Sequence, residues 1–336
     1  MTIYAAGIEA DSFGFAVGST YTVSGTSNHR DTTYTTSAIG ANTGGPTYQF
    51  DFGTSLAALW FHGYFYMQGS LTITATGEIL RFDSGTGPEF RLVGTGANGL
   101  SGSYVEVKFQ KTTNGSTWTD VGAAFNIVSS AGYHMDLKLT LGGSGAFACW
   151  LNGSKVIDFT GDVSTQTNTT TFARLGNHTS GTLCYWSQVI VADVPTIGMR
   201  LQTLGPNAAG TYTEWTGAYT TIDESITYDE TDSINSNTVN QRHTWNIVNT
   251  TASLIGNNAI RALCQSLRGQ VASGSTPTNL QFMIRTASTD YTSPNLGFAA
   301  DSVKRSAHRV VELNPNTGVA WTSANIDAVE VGVKAV

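Results

Sequence analysis

The segment Gly145-Ala-Phe-Ala-Cys-Trp-Leu-Asn-Gly-Ser-Lys-Val-Ile-Asp-Phe159 decides the fold class of this chain. Two runs rich in apolar and β-branched residues flank Asn152-Gly153, and an Asn-Gly pair favours the positive φ angles of a tight hairpin turn. Neither run has the 3.6-residue periodicity of an amphipathic helix. The segment therefore predicts two antiparallel strands joined by a short turn.

The same pattern continues on both sides of this hairpin. In Tyr104–Gln110 apolar residues alternate with Glu106, Lys108 and Gln110, as expected for a strand with one buried face, and Asn114-Gly115 predicts a second hairpin turn. Only 12% of the residues are charged and 37 are glycine, which favours strands and turns over helices. We therefore expect an all-β protein built from antiparallel sheets.

The length of 336 residues predicts two domains, because single domains typically contain roughly 100–200 residues. A stretch punctuated by glycine and proline, 198–210, follows the last strand of the first half. It is typical of a boundary that few contacts cross. We therefore predict domains over 1–196 and 197–336, each an antiparallel β-sandwich.

Two segments of the second half allow a more local prediction. Residues 259–268 fit either an amphipathic helix or a strand, and periodicity alone does not decide between them. Thr322 or Ser323 is suited to cap a single helical turn before a final strand over 329–336.

The order of three segments in the first half resembles a known superfamily. They are the hairpin Leu151-Asn-Gly-Ser-Lys-Val156, the strand Arg174-Leu-Gly-Asn177 and the strand Ser187-Gln-Val-Ile-Val-Ala-Asp193. In this order they resemble concanavalin A-like/laminin-G jelly rolls over roughly residues 1–195. The resemblance implies that the N-terminal sandwich is a jelly roll. For residues 259–268, in the second half, resemblance to known proteins favours a strand.

Two further segments, 199–223 and 312–334, resemble virion proteins of tailed bacteriophages that carry this jelly roll. The resemblance implies a structural component of the phage particle, either a head-decoration protein or a tail- or fibre-associated protein. Its partners would be other virion proteins and copies of itself, and its location would be the virion. The alternative hypothesis is an adhesin module that binds a glycan of the host surface.

Charge and composition exclude several classes of partner. The net charge is -7 and no lysine or arginine cluster could follow a phosphate backbone, so we expect no nucleic-acid partner. The sequence shows no secretory signal pattern and no apolar run long enough to span a membrane, so synthesis in the host cytoplasm and no membrane insertion are expected. Cys149, Cys184 and Cys264 have no metal-ligand spacing and are interpreted as buried free thiols.

No pattern in the sequence indicates catalysis. Glycan hydrolysis needs two converging carboxylates, whereas Glu78, Glu89 and Glu106 occur singly on different segments. There is no GxSxG motif, and the six histidines lack the spacing of metal ligands. We therefore expect a protein that is not an enzyme, with no catalytic, cofactor-binding or metal-binding residue.

Two minor sites remain open. The acidic segment 223–232 could bind calcium through its carboxylates, but it lacks EF-hand spacing, and a solvated loop is the favoured interpretation. Trp118, Tyr64 and Tyr66 are candidate platforms on which a sugar ring could stack, although most aromatic side chains in a sandwich pack in the core.

Overall fold

The computed structural model describes residues 1–7, 14–15, 22–24, 33, 38–41, 48–67, 77–98, 104–176, 184–222, 232–256 and 258–336. The chain divides into two compact units, Met1–Leu201 and Gln202–Val336. The regular secondary structure of both units is almost entirely antiparallel β-sheet. The prediction of an all-β protein made of antiparallel β-sandwiches is therefore confirmed.

The first unit forms two large sheets. Its strands, in chain order, are β1 (Ile3–Gly7), β2 (Gly14–Phe15), β3 (Thr22–Ser24), β4 (Ala38–Ala41), β5 (Tyr48–Leu56), β6 (Ala58–Met67), β7 (Glu78–Ser84), β8 (Gly87–Asn98), β9 (Tyr104–Thr112), β10 (Trp118–Val128), β11 (Gly132–Thr140), β12 (Gly142–Leu151), β13 (Ser154–Val163), β14 (Thr170–Leu175) and β15 (Cys184–Ala192). Sheet 1 has the order β13-β12-β11-β6-β15-β4-β3, and β1 also pairs with β15. Sheet 2 has the order β10-β9-β8-β7-β14-β5-β2.

The core of the first unit lies between these two sheets. Alternation along β6 sends Phe61 and Phe65 inward, where Phe61 meets Phe82 of sheet 2 edge to face at 5.4 Å between ring centroids. Phe147 of β12 packs against Phe109 of β9 at 4.3 Å. The period of two that identified the strands also divides each strand into a core face and an outer face.

The Asn-Gly signals mark real hairpins. Asn152 and Gly153 connect β12 to β13 with φ angles of 49° and 81°, the positive values that a two-residue type I′ turn requires. Asn114 and Gly115 lie in the loop between β9 and β10, where the Asn114 side chain accepts hydrogen bonds from the backbone N–H of Ser116 and Thr117. Both predicted hairpins are therefore confirmed.

The second unit contains a five-stranded sheet and a two-stranded sheet. Besides a 3₁₀ turn over Tyr219–Thr221, its strands and α-helices are β16 (Pro206–Thr213), β17 (Arg242–Ile247), α1 (Ala252–Ile255), β18 (Leu263–Gly269), β19 (Leu280–Thr286), β20 (Thr289–Thr292), β21 (Arg305–Val311), α2 (Ser323–Asp327) and β22 (Glu330–Ala335). Sheet 3 has the order β16-β17-β22-β19-β20, and β18 pairs with β21 to form sheet 4. The segment left open by periodicity thus forms a strand over Leu263–Gly269, as the resemblance favoured.

The end of the chain is fixed as the sequence predicted. The Thr322 side chain accepts a hydrogen bond from the backbone N–H of Asn325 and so caps α2. Strand β22 follows and lies at the centre of sheet 3. Its Glu330 carboxylate accepts hydrogen bonds from the hydroxyl groups of Thr211 and Thr244 at 2.6 and 2.7 Å.

The three thiols have no disulfide partner, and burial raises the pKa of each of them. Cys149 and Cys184 are buried in the core of the first unit, as interpreted from the sequence. The side chain of Cys264 keeps part of its surface exposed to solvent. The interpretation as a buried thiol is therefore wrong at this position. No helix within the described ranges is long and apolar enough to cross a membrane.

Candidate functional site

The outer face of sheet 1 carries the most unusual group of side chains in the first unit. Cross-strand pairing aligns Tyr64 with His134, His62 with Asp136, and Trp60 with Lys138 along β6 and β11. Strand β12 places Trp150 next to Asp136. Because the sheet fixes the spacing of neighbouring strands, these side chains form one ordered array of rings and charges on a rigid support.

A histidine relay, made of Asp136, His62 and His134, lies at the centre of this face. The Asp136 carboxylate lies 2.9 Å from Nδ1 of His62 and accepts a second hydrogen bond from the Thr196 hydroxyl at 2.8 Å. Asp136, His62 and Thr196 are fully buried. On the other side of the ring, Nε2 of His62 lies 3.4 Å from Nδ1 of His134, which is only half-buried. The relay therefore runs from a buried carboxylate to a ring at the surface of the face.

Tyr64 and the backbone position His134 within the face. The ring of Tyr64 meets that of His134 edge to face at 5.1 Å, and its hydroxyl lies directly over Gly132. A Cβ at Gly132 would collide with that hydroxyl, so the glycine makes room for the tyrosine. The backbone N–H of His134 donates to the side chain of Asn152, which belongs to the type I′ turn. The hairpin predicted from the sequence thus anchors a residue of the site.

Two tryptophans extend the array along the same face. The rings of Trp60 and Trp150 stack at 5.3 Å, and both remain half-buried. The Lys155 ammonium lies 5.3 Å from the centroid of Trp150, and Lys138 is exposed beside Trp60. The face therefore offers partly exposed aromatic surface next to cationic and hydrogen-bonding groups.

Of the three residues predicted as sugar platforms, Tyr64 and Tyr66 lie in one aromatic cluster, whereas Trp118 lies on the other sheet. Tyr64 is half-buried on the outer face of sheet 1, whereas Tyr66 on the same face is 6% exposed and packs against Tyr185. Trp118 lies on sheet 2, where the Arg91 guanidinium covers one face of its indole at 3.8 Å. The expectation of exposed platforms is therefore wrong for Tyr66, since neighbouring aromatic side chains bury it.

The outer face of sheet 2 is an ion-pair network. Glu78 accepts hydrogen bonds from Arg81 and Arg91 at 2.9 and 2.6 Å, and Asp83 joins Arg81 to Arg174. Two carboxylates and three guanidinium groups are thus ion-paired across three strands. Glu78 thus has a structural role as an ion-pair partner. The same network holds the Arg91 guanidinium over the indole of Trp118, so no ligand is needed to explain its position.

The other two carboxylates considered from the sequence also have structural partners. Glu89 is fully buried and accepts hydrogen bonds from the Ser84 hydroxyl and from both the hydroxyl and the backbone N–H of Thr167. Glu106 accepts a hydrogen bond from the Thr95 hydroxyl at 2.7 Å. These hydrogen bonds connect strands and loops. No two of the carboxylates of Glu78, Glu89 and Glu106 therefore converge on a common site as a catalytic pair would.

Sequence reasoning missed the histidine relay and the tryptophan pair. His62 and His134 are 72 positions apart, and only the pairing of β6 with β11 brings them together. The sequence did contain one signal: in each strand the histidine alternates with apolar residues and so falls on the face opposite to the core.

Residues 223–231, which make up nearly all of the acidic segment 223–232, lie outside the described residues. Within the described ranges no group of His, Cys, Asp or Glu is arranged to hold a metal ion.

No protein-family model matches the sequence, and no curated protein matches it significantly. Three solved structures that resemble the chain are polysaccharide lyases. They are an endo-β-1,4-glucuronan lyase of the fungus Trichoderma reesei (15% identity, 57% of this chain, 96% of that chain, TM-score 0.42), alginate lyase Aly36B (11%, 50%, 82%, 0.36) and an alginate lyase of Alteromonas sp. 272 (9%, 51%, 93%, 0.32). At these identities the likeness concerns the fold alone.

The expectation that the chain is not an enzyme is contradicted and withdrawn, because polysaccharide lyases are among the structures similar to it; the likeness itself assigns no activity to this chain. That expectation was based on the lack of paired carboxylates, which bears on glycoside hydrolysis. A lyase breaks its substrate by elimination, which begins with removal of a proton, so the argument did not cover this class.

Proposed function

We propose that the first unit binds a saccharide on the outer face of sheet 1. The observation that carries the proposal is the row of partly exposed rings on adjacent strands, formed by Trp60, Trp150, Tyr64 and His134. Aromatic rings provide flat apolar surface for the C–H faces of a sugar, and nearby polar groups provide hydrogen bonds to its hydroxyl groups.

The arrangement favours binding because it is already ordered. The rings are held by a hydrogen-bonded sheet, and Thr196 and Asp136 fix the buried end of the relay. A ligand therefore need not order these side chains, which lowers the entropic cost of association. Lys138 adds an exposed ammonium group beside the rings.

We also propose that the chain acts as part of a tailed-phage particle, in a head-decoration, tail or fibre position. The resemblance of residues 199–223 and 312–334 to virion proteins supports this part of the proposal. Saccharide binding and assembly are compatible, since an assembled component can also contact a host-surface glycan. Other virion proteins and copies of this chain would then be its partners.

A saccharide array followed by titration of the best ligand tests the binding proposal. Replacement of Trp150 or Tyr64 by alanine is expected to weaken binding at least about fivefold, as truncation of a central aromatic contact typically costs more than about 1 kcal/mol. Trp118→Ala is the matched control, because Trp118 lies on sheet 2. Loss of binding in the control alone would assign the ligand to sheet 2, and arrays without any ligand would refute the proposal.

Two further measurements separate the roles. Sedimentation of purified phage particles should carry the protein with them, and an antibody against it should label the particles in electron micrographs. Absence from the particles would refute the virion role and leave saccharide binding intact. Any polysaccharide that binds is also assayed for shortening of its chains, which would add a catalytic step to recognition.

A further inference from the structure

We propose that the second unit binds a small oxyanion that carries a hydroxyl group, with hydrogen phosphate as its simplest member, between the side chains of Arg309 and Gln265. These two residues of sheet 4 are called the Arg309–Gln265 site below. They belong to a different unit from the face proposed to bind saccharide, so the inference is independent of that function. It rests on two buried polar atoms that no side chain or backbone group satisfies within the described residues.

Strand register places Arg309 on the inner face of sheet 4. Gln265 of β18 and Arg309 of β21 are direct cross-strand partners. Ala307 and Val311 lie two residues away on either side of Arg309, and each packs against a hydrophobic cluster of the second unit. Because side chains alternate along a strand, Ala307, Arg309 and Val311 share one face. A guanidinium group thus lies on a core-facing surface, where charged groups are normally paired.

Arg309 has no such partner. Its Nη1 atom is buried and makes no hydrogen bond. Carboxylates of this unit pair with Arg242, Arg285 and Arg305, and none within the described residues pairs with Arg309. Burial lowers the pKa of Arg309, because removal from water disfavours the charged form. The group nevertheless remains protonated at neutral pH, so its charge stays uncompensated.

An anion would supply the missing partner. A charge that is partly removed from water without a counter-ion destabilises the folded state, and a bound anion offsets that cost. The planar guanidinium carries its N–H groups in a fork that matches two oxygens of an oxyanion. Arg309 as a whole keeps part of its surface exposed, so an ion can reach it from solvent.

Gln265 narrows the class of anion. This residue is 7% exposed, and its Nε2 atom donates to the backbone carbonyl of Met283 at 2.9 Å. A carbonyl can only accept, so this bond fixes the orientation of the amide and leaves Oε1 as the unsatisfied atom. Oε1 needs a donor, whereas the neighbouring guanidinium needs an acceptor. The ligand must therefore offer both a charged oxygen and a hydroxyl group.

Hydrogen phosphate meets both requirements. Its charged oxygens accept hydrogen bonds from the guanidinium, and its hydroxyl group donates to the amide oxygen. Sulfate has nearly the same size and shape but carries no hydrogen at neutral pH, so it would leave Oε1 of Gln265 unsatisfied. A water molecule can also donate and accept, but it leaves the charge of Arg309 uncompensated. The site therefore predicts binding of phosphate in preference to sulfate.

Calorimetry on the full chain tests this preference. Sodium phosphate and sodium sulfate are titrated separately at about pH 7 and constant ionic strength. We expect one phosphate per chain and at least about tenfold weaker binding of sulfate, because a buried acceptor left without a donor is costly. In thermal scans, phosphate at about ten times its dissociation constant should raise the midpoint of the second unit by about 4–6 °C. The midpoint of the first unit should not change.

Variants of the two residues should have different effects. Arg309→Met should abolish binding of both ions and the phosphate-dependent shift. Arg305→Met is the matched control, because it removes the same charge from the same strand but from an arginine paired with Asp301 at 2.6 Å, and it should retain the shift. Gln265→Met should still bind phosphate but bind sulfate within about twofold of it, since the unsatisfied acceptor is gone. A merely structural role for Gln265 would not change this ratio.

Arg309→Lys keeps the site testable if Arg309→Met does not fold. It retains the charge without the planar fork and should bind phosphate at least about fivefold more weakly. An unmodified chain that binds no phosphate would show that only solvent joins the two atoms, and this result overturns the inference. A phosphate-dependent shift that survives in Arg309→Met, or equal affinities of the unmodified chain for phosphate and sulfate, also overturns it. Each of these results leaves the saccharide proposal unaffected.

Discussion

Glu89 provides a test of the reasoning that separates structural carboxylates from functional ones. It is fully buried on β8, next to the turn that follows β7. Its carboxylate accepts the Ser84 hydroxyl at 2.6 Å, the Thr167 hydroxyl at 2.8 Å and the Thr167 backbone N–H at 3.0 Å. The group therefore fastens the loop around Thr167 to the edge of the β7–β8 hairpin. We consider the change Glu89→Gln, which preserves shape and removes the charge.

The expected loss follows from these three hydrogen bonds. Hydrogen bonds to a charged group contribute about 1.5–3 kcal/mol each, and those between neutral groups about 0.5–1.5 kcal/mol. Glutamine also presents two donors to a site built of donors, so the hydroxyl groups must rotate to accept. The relief of burying a charge offsets part of this loss. We therefore expect the first unit to lose about 2 kcal/mol of unfolding free energy.

Scanning calorimetry checks this value, because the second unit serves as an internal reference within the same chain. A loss of about 2 kcal/mol should lower the midpoint of the first unit by about 4–8 °C. Glu106→Gln is the matched control, since Glu106 is only partly buried and accepts from a single side chain, and its midpoint should shift little. A carboxylate kept for function commonly gives a more stable protein when it is replaced. An unchanged or raised midpoint in Glu89→Gln would thus refute the structural interpretation.

Three further outcomes are expected. Gly132→Ala should displace the Tyr64 hydroxyl and weaken saccharide binding about tenfold in a titration, whereas Gly85→Ala, at a turn with open space around it, should leave the affinity unchanged. Phe147→Ala should destabilise the first unit by about 3–5 kcal/mol in denaturant unfolding, because the ring is buried between two other phenylalanines. Burial favours the neutral form of Glu330, but its hydrogen bonds from two threonines hold its pKa below the usual 4.5. The stability contributed by Glu330 is therefore present above pH 4.5 and lost as the pH falls through the lowered value, and an acid titration should show a smaller loss in Glu330→Gln.

The strands and turns were predictable because their determinants are local. Alternation in Tyr104–Gln110 and the Asn152-Gly153 pair act over two to ten residues, and nothing in the tertiary structure opposes them. The cap at Thr322 is equally local and formed as expected. The aromatic platforms were harder to predict, since exposure depends on which neighbours cover a ring. Tyr66 is buried by a strand more than 100 positions away in the sequence.

The sequence by itself determined that this chain folds as antiparallel β-sheets with an inner and an outer face, because a period of two and the turn residues are properties of short segments. Only the tertiary structure decided which outer residues meet. The pairing of β6 with β11 places His62 beside Asp136 and His134, and the pairing of β11 with β12 brings Trp150 to the same face. Strand register is set by the packing of the whole sandwich, so a site built across strands cannot be derived from any one of them.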